Sequence, residues 1–139
     1  MRAVIDTNVL VSAMRSQKGA SFQILRELQA NTFKPVITVP LVLEYEDVLN
    51  RFAPDYGLDD TDVATIIDYI AGKAIHQEIH YLWRPFLRDP KDSMVLEAAF
   101  NSQTKWIVTY NLRDFRGSQE LGVTAIKPGD FLNLLGGST

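Results

Sequence analysis

The chain contains no cysteine and only two histidines in 139 residues. Disulfides, thiolate metal sites and cysteine nucleophiles are therefore excluded. Two histidines are too few for an all-histidine zinc site within one chain. No apolar run approaches the roughly 18 residues needed to cross a bilayer. The opening MRAVIDTNVLVSAM meets an aspartate at its sixth position, which argues against a signal peptide. Positive charge is not in excess either: 14 Lys and Arg face 17 Asp and Glu, a net charge of -3. Bulk charge therefore does not drive tight, non-specific binding to nucleic acid. An enzyme acting on nucleic acid stays open, because magnesium-dependent sites need acids. The expectation is a soluble cytoplasmic protein with no membrane partner.

What is present suits one globular domain over residues 1–139, with the final GGST frayed. Short Val- and Ile-rich runs predict strands over 3–5, 36–39, 75–79, 106–109 and 123–126. Helical spacing fills the intervals. Asn8 is a candidate cap for a first helix and Ser21 for a second, which carries Phe22, Leu25 and Leu28. Pro40 opens a third helix with Leu41, Tyr45, Val48 and Leu49 as its stripe. A fourth starts near Asp59 or Asp60 and is weakened or ended by Gly72. A fifth spans 91–102, and Pro128 starts a last one carrying Phe131, Leu134 and Leu135. Strands alternating with helices, and not cleanly two-periodic, predict an α/β fold with a mostly parallel sheet covered on both faces.

Four acids fall at strategic places. Asp6 ends the first strand, Glu44 lies early in the third helix, Asp92 begins the fifth, and Asp114 follows the fourth strand. In a parallel sheet the strand-to-helix junctions share one edge, so acids scattered in sequence converge there. Such a cluster repels itself unless something positive fills it. Oxygen donors without sulfur point to Mg²⁺ or Mn²⁺. The chemistry suggested is phosphodiester hydrolysis: one ion lowers the pKa of an attacking water, and a second stabilises the leaving oxygen.

The runs AVIDTNVLVSAM, PLVLEYEDVL, RDPKDSMVLEAA and WIVTYNLRDF, in that order, resemble the PIN-domain nucleases. More narrowly, they resemble PIN proteins that are ribonuclease toxin components of toxin–antitoxin pairs. The resemblance runs from Arg2 to about Leu135. It implies a three-layer α/β/α sandwich and a Mg²⁺- or Mn²⁺-dependent endoribonuclease. Asp6, Glu44, Asp92 and Asp114 match the family's acidic quartet, as catalytic and metal-binding residues. Thr7 and Asn8 match its supporting positions, with Asn8 bracing the ligands by hydrogen bonds. Thr109 and Asn111 are further supporting residues. The resemblance also implies an RNA substrate, a cognate antitoxin, a homodimer, and products with a 5′-phosphate and a 3′-hydroxyl. One departure stands out: many relatives carry aspartate where this chain has Asn111, which leaves the weight of Asn111 against Asp114 open.

Blander roles compete with each of these. Asp6 can form a local turn, Glu44 and Asp92 can favour helix dipoles, and Asp114 can cap a short turn. Asp89 reads as outer support or as part of the DP turn. Thr109 reads first as holding the strand end. Arg15, Lys18, Arg84, Arg88, Lys91 and Arg113 receive no role beyond solvated charge. His76 and His80 lack an HExxH pattern. Trp83 and Trp106 read as packing rather than base stacking. Two other functions fit part of the pattern. A non-catalytic interaction module would use the acidic face to bind a basic protein. A phosphoacceptor signalling domain would want paired acids at the first strand, which DTN does not supply.

Overall fold

The computed structural model describes residues 1–81, Leu87 and residues 89–136. Five parallel strands form the central sheet: β1 (Arg2–Ile5), β2 (Lys34–Ile37), β3 (Ile75–His76), β4 (Trp106–Val108) and β5 (Thr124–Ile126), in the order β3-β2-β1-β4-β5. Among the described residues six helices accompany them: α1 (Thr7–Arg15), α2 (Ala20–Gln29), α3 (Val39–Phe52), α4 (Asp60–Lys73), α5 (Pro90–Asn101) and α6 (Pro128–Leu135). Short 3₁₀ turns cover Ala53–Tyr56, Leu112–Phe115 and Ser118–Leu121. The path runs outward from β1 to β3 and then back across the sheet to β4. Right-handed crossovers on a path that reverses place helices on both faces, giving the α/β/α sandwich expected.

The central strand explains why its sequence is continuous rather than alternating. Ala3, Val4 and Ile5 are all fully buried, with Val4 beside Ile107 and Ile5 beside Val108. A strand covered on both faces has no polar side to show. Around it, α1 packs on α2 and α3, α2 on α6, α3 on α4, and α5 lies against β1, β2 and β4. The core stripe of α3 is Leu41, Tyr45 and Leu49, with Val48 half-buried at its edge.

Several boundaries differ from the sequence reading, each for a local reason. Strand β2 ends at Ile37 because the Thr38 side chain accepts from the Leu41 N–H at 3.2 Å and caps α3. Val39 is thereby the first helical residue and is 74% exposed, not a strand residue. Strand β3 stops at His76, since the Gln77 N–H takes the Ile37 carbonyl at 2.9 Å and β2 offers nothing beyond it. The cap of α1 is Asp6, not Asn8, which is its second helical residue. Helix α2 starts after Gly19 without a side-chain cap, and Ser21 is buried inside it. Helix α4 passes through Gly72 to Lys73, its start locked by a reciprocal Asp59–Asp62 capping box. Asp89 caps α5 by accepting from the Lys91 N–H at 2.9 Å, so it supports the DP turn as expected. Leu134 on α6 faces outward. No helix of the described residues is long and apolar enough to cross a membrane.

Candidate active site

The chain leaves β1 toward β2 and returns to β1's other side as β4. The strand order reverses there, and open α/β sheets bind ligands at the carboxyl ends of the strands beside that switch point. Asp6 follows β1 and Thr109 follows β4. The Asp6 N–H extends the ladder to the Val108 carbonyl at 2.9 Å, and the Thr109 N–H to the Ile126 carbonyl at 2.9 Å.

Both oxygens of Asp6 are held. Oδ1 accepts the Thr7 N–H at 2.8 Å, the helix-capping bond of α1. Oδ2 accepts the Thr109 hydroxyl at 2.7 Å and the Asn8 Nδ2 at 3.3 Å. Asn8 also donates to Thr109 Oγ1 at 3.4 Å and accepts the Tyr110 N–H at 3.4 Å. Thr109 Oγ1 in turn accepts the Asn111 N–H at 3.0 Å. Thr109 is fully buried and Asp6 is 8% exposed. The carboxylate orientation is therefore fixed by groups from both sides of the switch point.

Asp114 and Glu44 bear on Asp6 electrostatically, and Asp6 in turn bears on Asp92. Burial raises its pKa; the bonds from Thr109 and Thr7 oppose this, and the charges of Asp114 and Glu44 add to it. Asp92 is pushed from the ordinary 3.8 to about 7, first by burial, then by Asp114, Asp6 and Asp89. The Tyr45 hydroxyl is also raised, by burial and then by the charge of Asp6. All four acids of the predicted quartet thus share one electrostatic neighbourhood. Glu44, in the second turn of α3, has a mostly enclosed side chain and meets Lys91 Nζ at 3.5 Å. Asp114 is exposed on its 3₁₀ turn, which the buried Phe115 anchors. Asn111 is also exposed, and its side chain caps nothing.

Among the described residues, no three Asp, Glu, His or Cys side chains are grouped so as to hold a metal ion. The donor chemistry nonetheless fits a hard divalent cation: all carboxylate oxygen, partly desolvated and mutually repelling. Mg²⁺ keeps several waters and is commonly bound through one or two carboxylates plus substrate phosphate, so a closed cage is not required. The histidines stand apart from this set. The His76 ring bonds the Ala71 carbonyl at 2.8 Å, and His80 uses its backbone N–H on Asn101 at 2.7 Å. Trp106 is half-buried against the core, with Lys105 Nζ 4.8 Å from its ring centre. Trp83, Arg84 and Arg88 lie outside the described residues.

Residues 2–113 match the family model for the PIN domain. The chain belongs to the PIN-domain family. That family is generally linked to nuclease activity and often uses divalent metal cofactors. No curated protein matches the chain. The PIN match contains Asp6, Glu44, Asp92 and Asn111 and ends one residue before Asp114.

Sequence reasoning missed three features around this PIN-domain site. Tyr45, read as core, donates its buried hydroxyl to the Ile5 carbonyl, directly beneath Asp6. A tyrosine four residues after a helix-start apolar gives no sign of such a bond. Ser21, read as a cap, shares a 2.6 Å hydrogen bond with the Tyr110 hydroxyl and ties α2 to the loop after β4. Lys91, left without a role, meets Glu44; its place one residue before Asp92 was the available signal.

Proposed function

We propose that residues 1–139 act as one PIN nuclease domain, a Mg²⁺- or Mn²⁺-dependent endoribonuclease that is the toxin of a toxin–antitoxin pair. The observation that carries this reading is the mutual electrostatic action of Asp6, Glu44, Asp92 and Asp114 beside the β1–β4 switch point. Burial of Asp6 and Asp92 beside their acidic neighbours raises the pKa of both, which costs stability near neutral pH, and a cation would remove that cost.

In this reading Asp6, Glu44, Asp92 and Asp114 would hold the cation. Thr7, Asn8 and Thr109 aim the Asp6 carboxylate, and Asn111 steadies Thr109 through its backbone N–H. A divalent ion held there would lower the pKa of the attacking water and offset charge on the leaving oxygen. No histidine is needed as general base. The acids themselves repel phosphate, so a strand enters only once positive charge is in place. Cleavage in line leaves a 5′-phosphate and a 3′-hydroxyl. The cytoplasm is the expected setting, with RNA, a cognate antitoxin protein and a second copy of the chain as partners.

The test is incubation of purified protein with labelled single-stranded RNA, tRNA, single-stranded DNA and duplex DNA, in Mn²⁺ or Mg²⁺ and in EDTA. RNA cleavage that needs the metal and disappears in Asp6→Asn is the expected result. Cleavage that persists in EDTA or in Asp6→Asn refutes the assignment. The lack of three grouped ligands among the described residues favours one rival, a non-catalytic module whose acidic face binds a basic protein. That rival requires no cutting of any substrate and no effect of divalent metal on stability.

A further inference from the structure

We propose that Lys91 is a built-in competitor for the cation, acting through Glu44; this rests on the metal-dependent reading above. Lys91 Nζ stands 3.5 Å from Glu44 Oε1, joining the start of α5 to α3. The two partners differ in freedom. The Glu44 side chain is 13% exposed and the Lys91 side chain 52% exposed. The glutamate is therefore held in place, while the ammonium is the part that can leave. The Lys91 backbone is anchored, its N–H bonded to Asp89 Oδ1 at 2.9 Å, so only the side chain has to move.

The ammonium beside Glu44 Oε1 satisfies part of the carboxylate's charge, so a divalent ion binding at Glu44 competes with Lys91 for it. Lysine suits this use, being a hydrated point charge on a flexible stem that re-enters water readily. A half-exposed pair of this kind is worth little, which sets the size of the effect. The pair neutralises part of the acidic site, so it weakens metal binding at Glu44 without blocking it. Asp6, by contrast, is fixed by neutral donors and meets no cation of the described residues.

The experiment is a Mn²⁺ titration read by water-proton relaxation, which reports occupancy at weak as well as tight affinity. It uses the full chain at low ionic strength as wild type, Lys91→Met, Glu44→Gln and the double variant, each checked for folding by circular dichroism. Lys91→Met is expected to bind Mn²⁺ about two- to fivefold more tightly than wild type. In the Glu44→Gln background the same substitution is expected to change nothing. Unchanged or weaker binding by Lys91→Met overturns the proposal while leaving the metal-dependent reading intact. An equal gain in the Glu44→Gln background also overturns it, showing a diffuse charge effect that does not pass through Glu44. A wild type that takes up no Mn²⁺ overturns the metal-dependent reading and this proposal together.

Discussion

In the absence of divalent metal, the folded protein is expected to lose stability as pH rises from about 4 to about 7, with Asp92 as the main cause. Its carboxyl moves from the ordinary 3.8 to about 7 on folding. Between those values the folded chain keeps a proton that the unfolded chain has released. Stability therefore falls with rising pH across that window and levels off above it. The full shift corresponds to about 4 kcal/mol at 1.36 kcal/mol per pKa unit. Asp92 is only partly buried, so solvent screening reduces this to about 2 kcal/mol. For a chain of this size that is roughly 6 °C in Tm. The perturbation is Asp92→Asn, which imitates the protonated acid at every pH. Urea denaturation in EDTA at pH 4, 6 and 8 is the assay. The variant is expected to match wild type at pH 4 and to exceed it by about 2 kcal/mol at pH 8. Mn²⁺ at pH 8 should close that gap by stabilising wild type. A variant that is less stable than wild type at pH 8, or a difference that does not change with pH, refutes the reasoning.

Three further outcomes are expected. Asp6→Asn should abolish detectable Mn²⁺ binding by calorimetry while circular dichroism and Tm show an intact fold, because the amide keeps the acceptor for the Thr7 N–H and sheds the buried charge; undiminished affinity would sink the assignment. Asp114→Asn should slow RNA cleavage more than Asn111→Ala, since only Asp114 places charge on Asp6 and Asp92; a larger loss at Asn111 reverses the order. Tyr45→Phe should cost about 1–3 kcal/mol in urea denaturation, because the Ile5 carbonyl loses its buried hydroxyl partner; a neutral substitution would mean the bond contributes nothing.

The fold was legible where the sequence repeats a simple physical rule. Ala3–Ile5 is apolar without alternation, as a doubly covered strand must be, and Pro128 marks the start of α6. Boundaries slipped where side chains compete for the same backbone groups. Asp6 and Asn8 are both good caps, and Asp6 prevails because it sits where β1 ends extended. Thr38 ended β2 two residues early by the same means. The acids were singled out because strand ends in a parallel sheet share an edge. Their partners across the site were not, since the Glu44–Lys91 pair and the Tyr45–Ile5 bond join residues about 40 or more positions apart. Nothing local in the sequence encodes such distances; the strand order does. Asp114 shows the opposite case, a residue beyond the end of the PIN match whose charge still reaches the centre of the site.

The acids at the β1–β4 switch point are expected to form one divalent-cation centre. The most direct test is a crystal of the protein grown with Mn²⁺ and measured for anomalous scattering. The expected result is a peak within coordinating distance of Asp6 and at least one of Glu44, Asp92 and Asp114, about 2.0–2.6 Å from the oxygens. A map with no peak at this edge, at saturating Mn²⁺, or with its peak elsewhere on the molecule, would contradict the account.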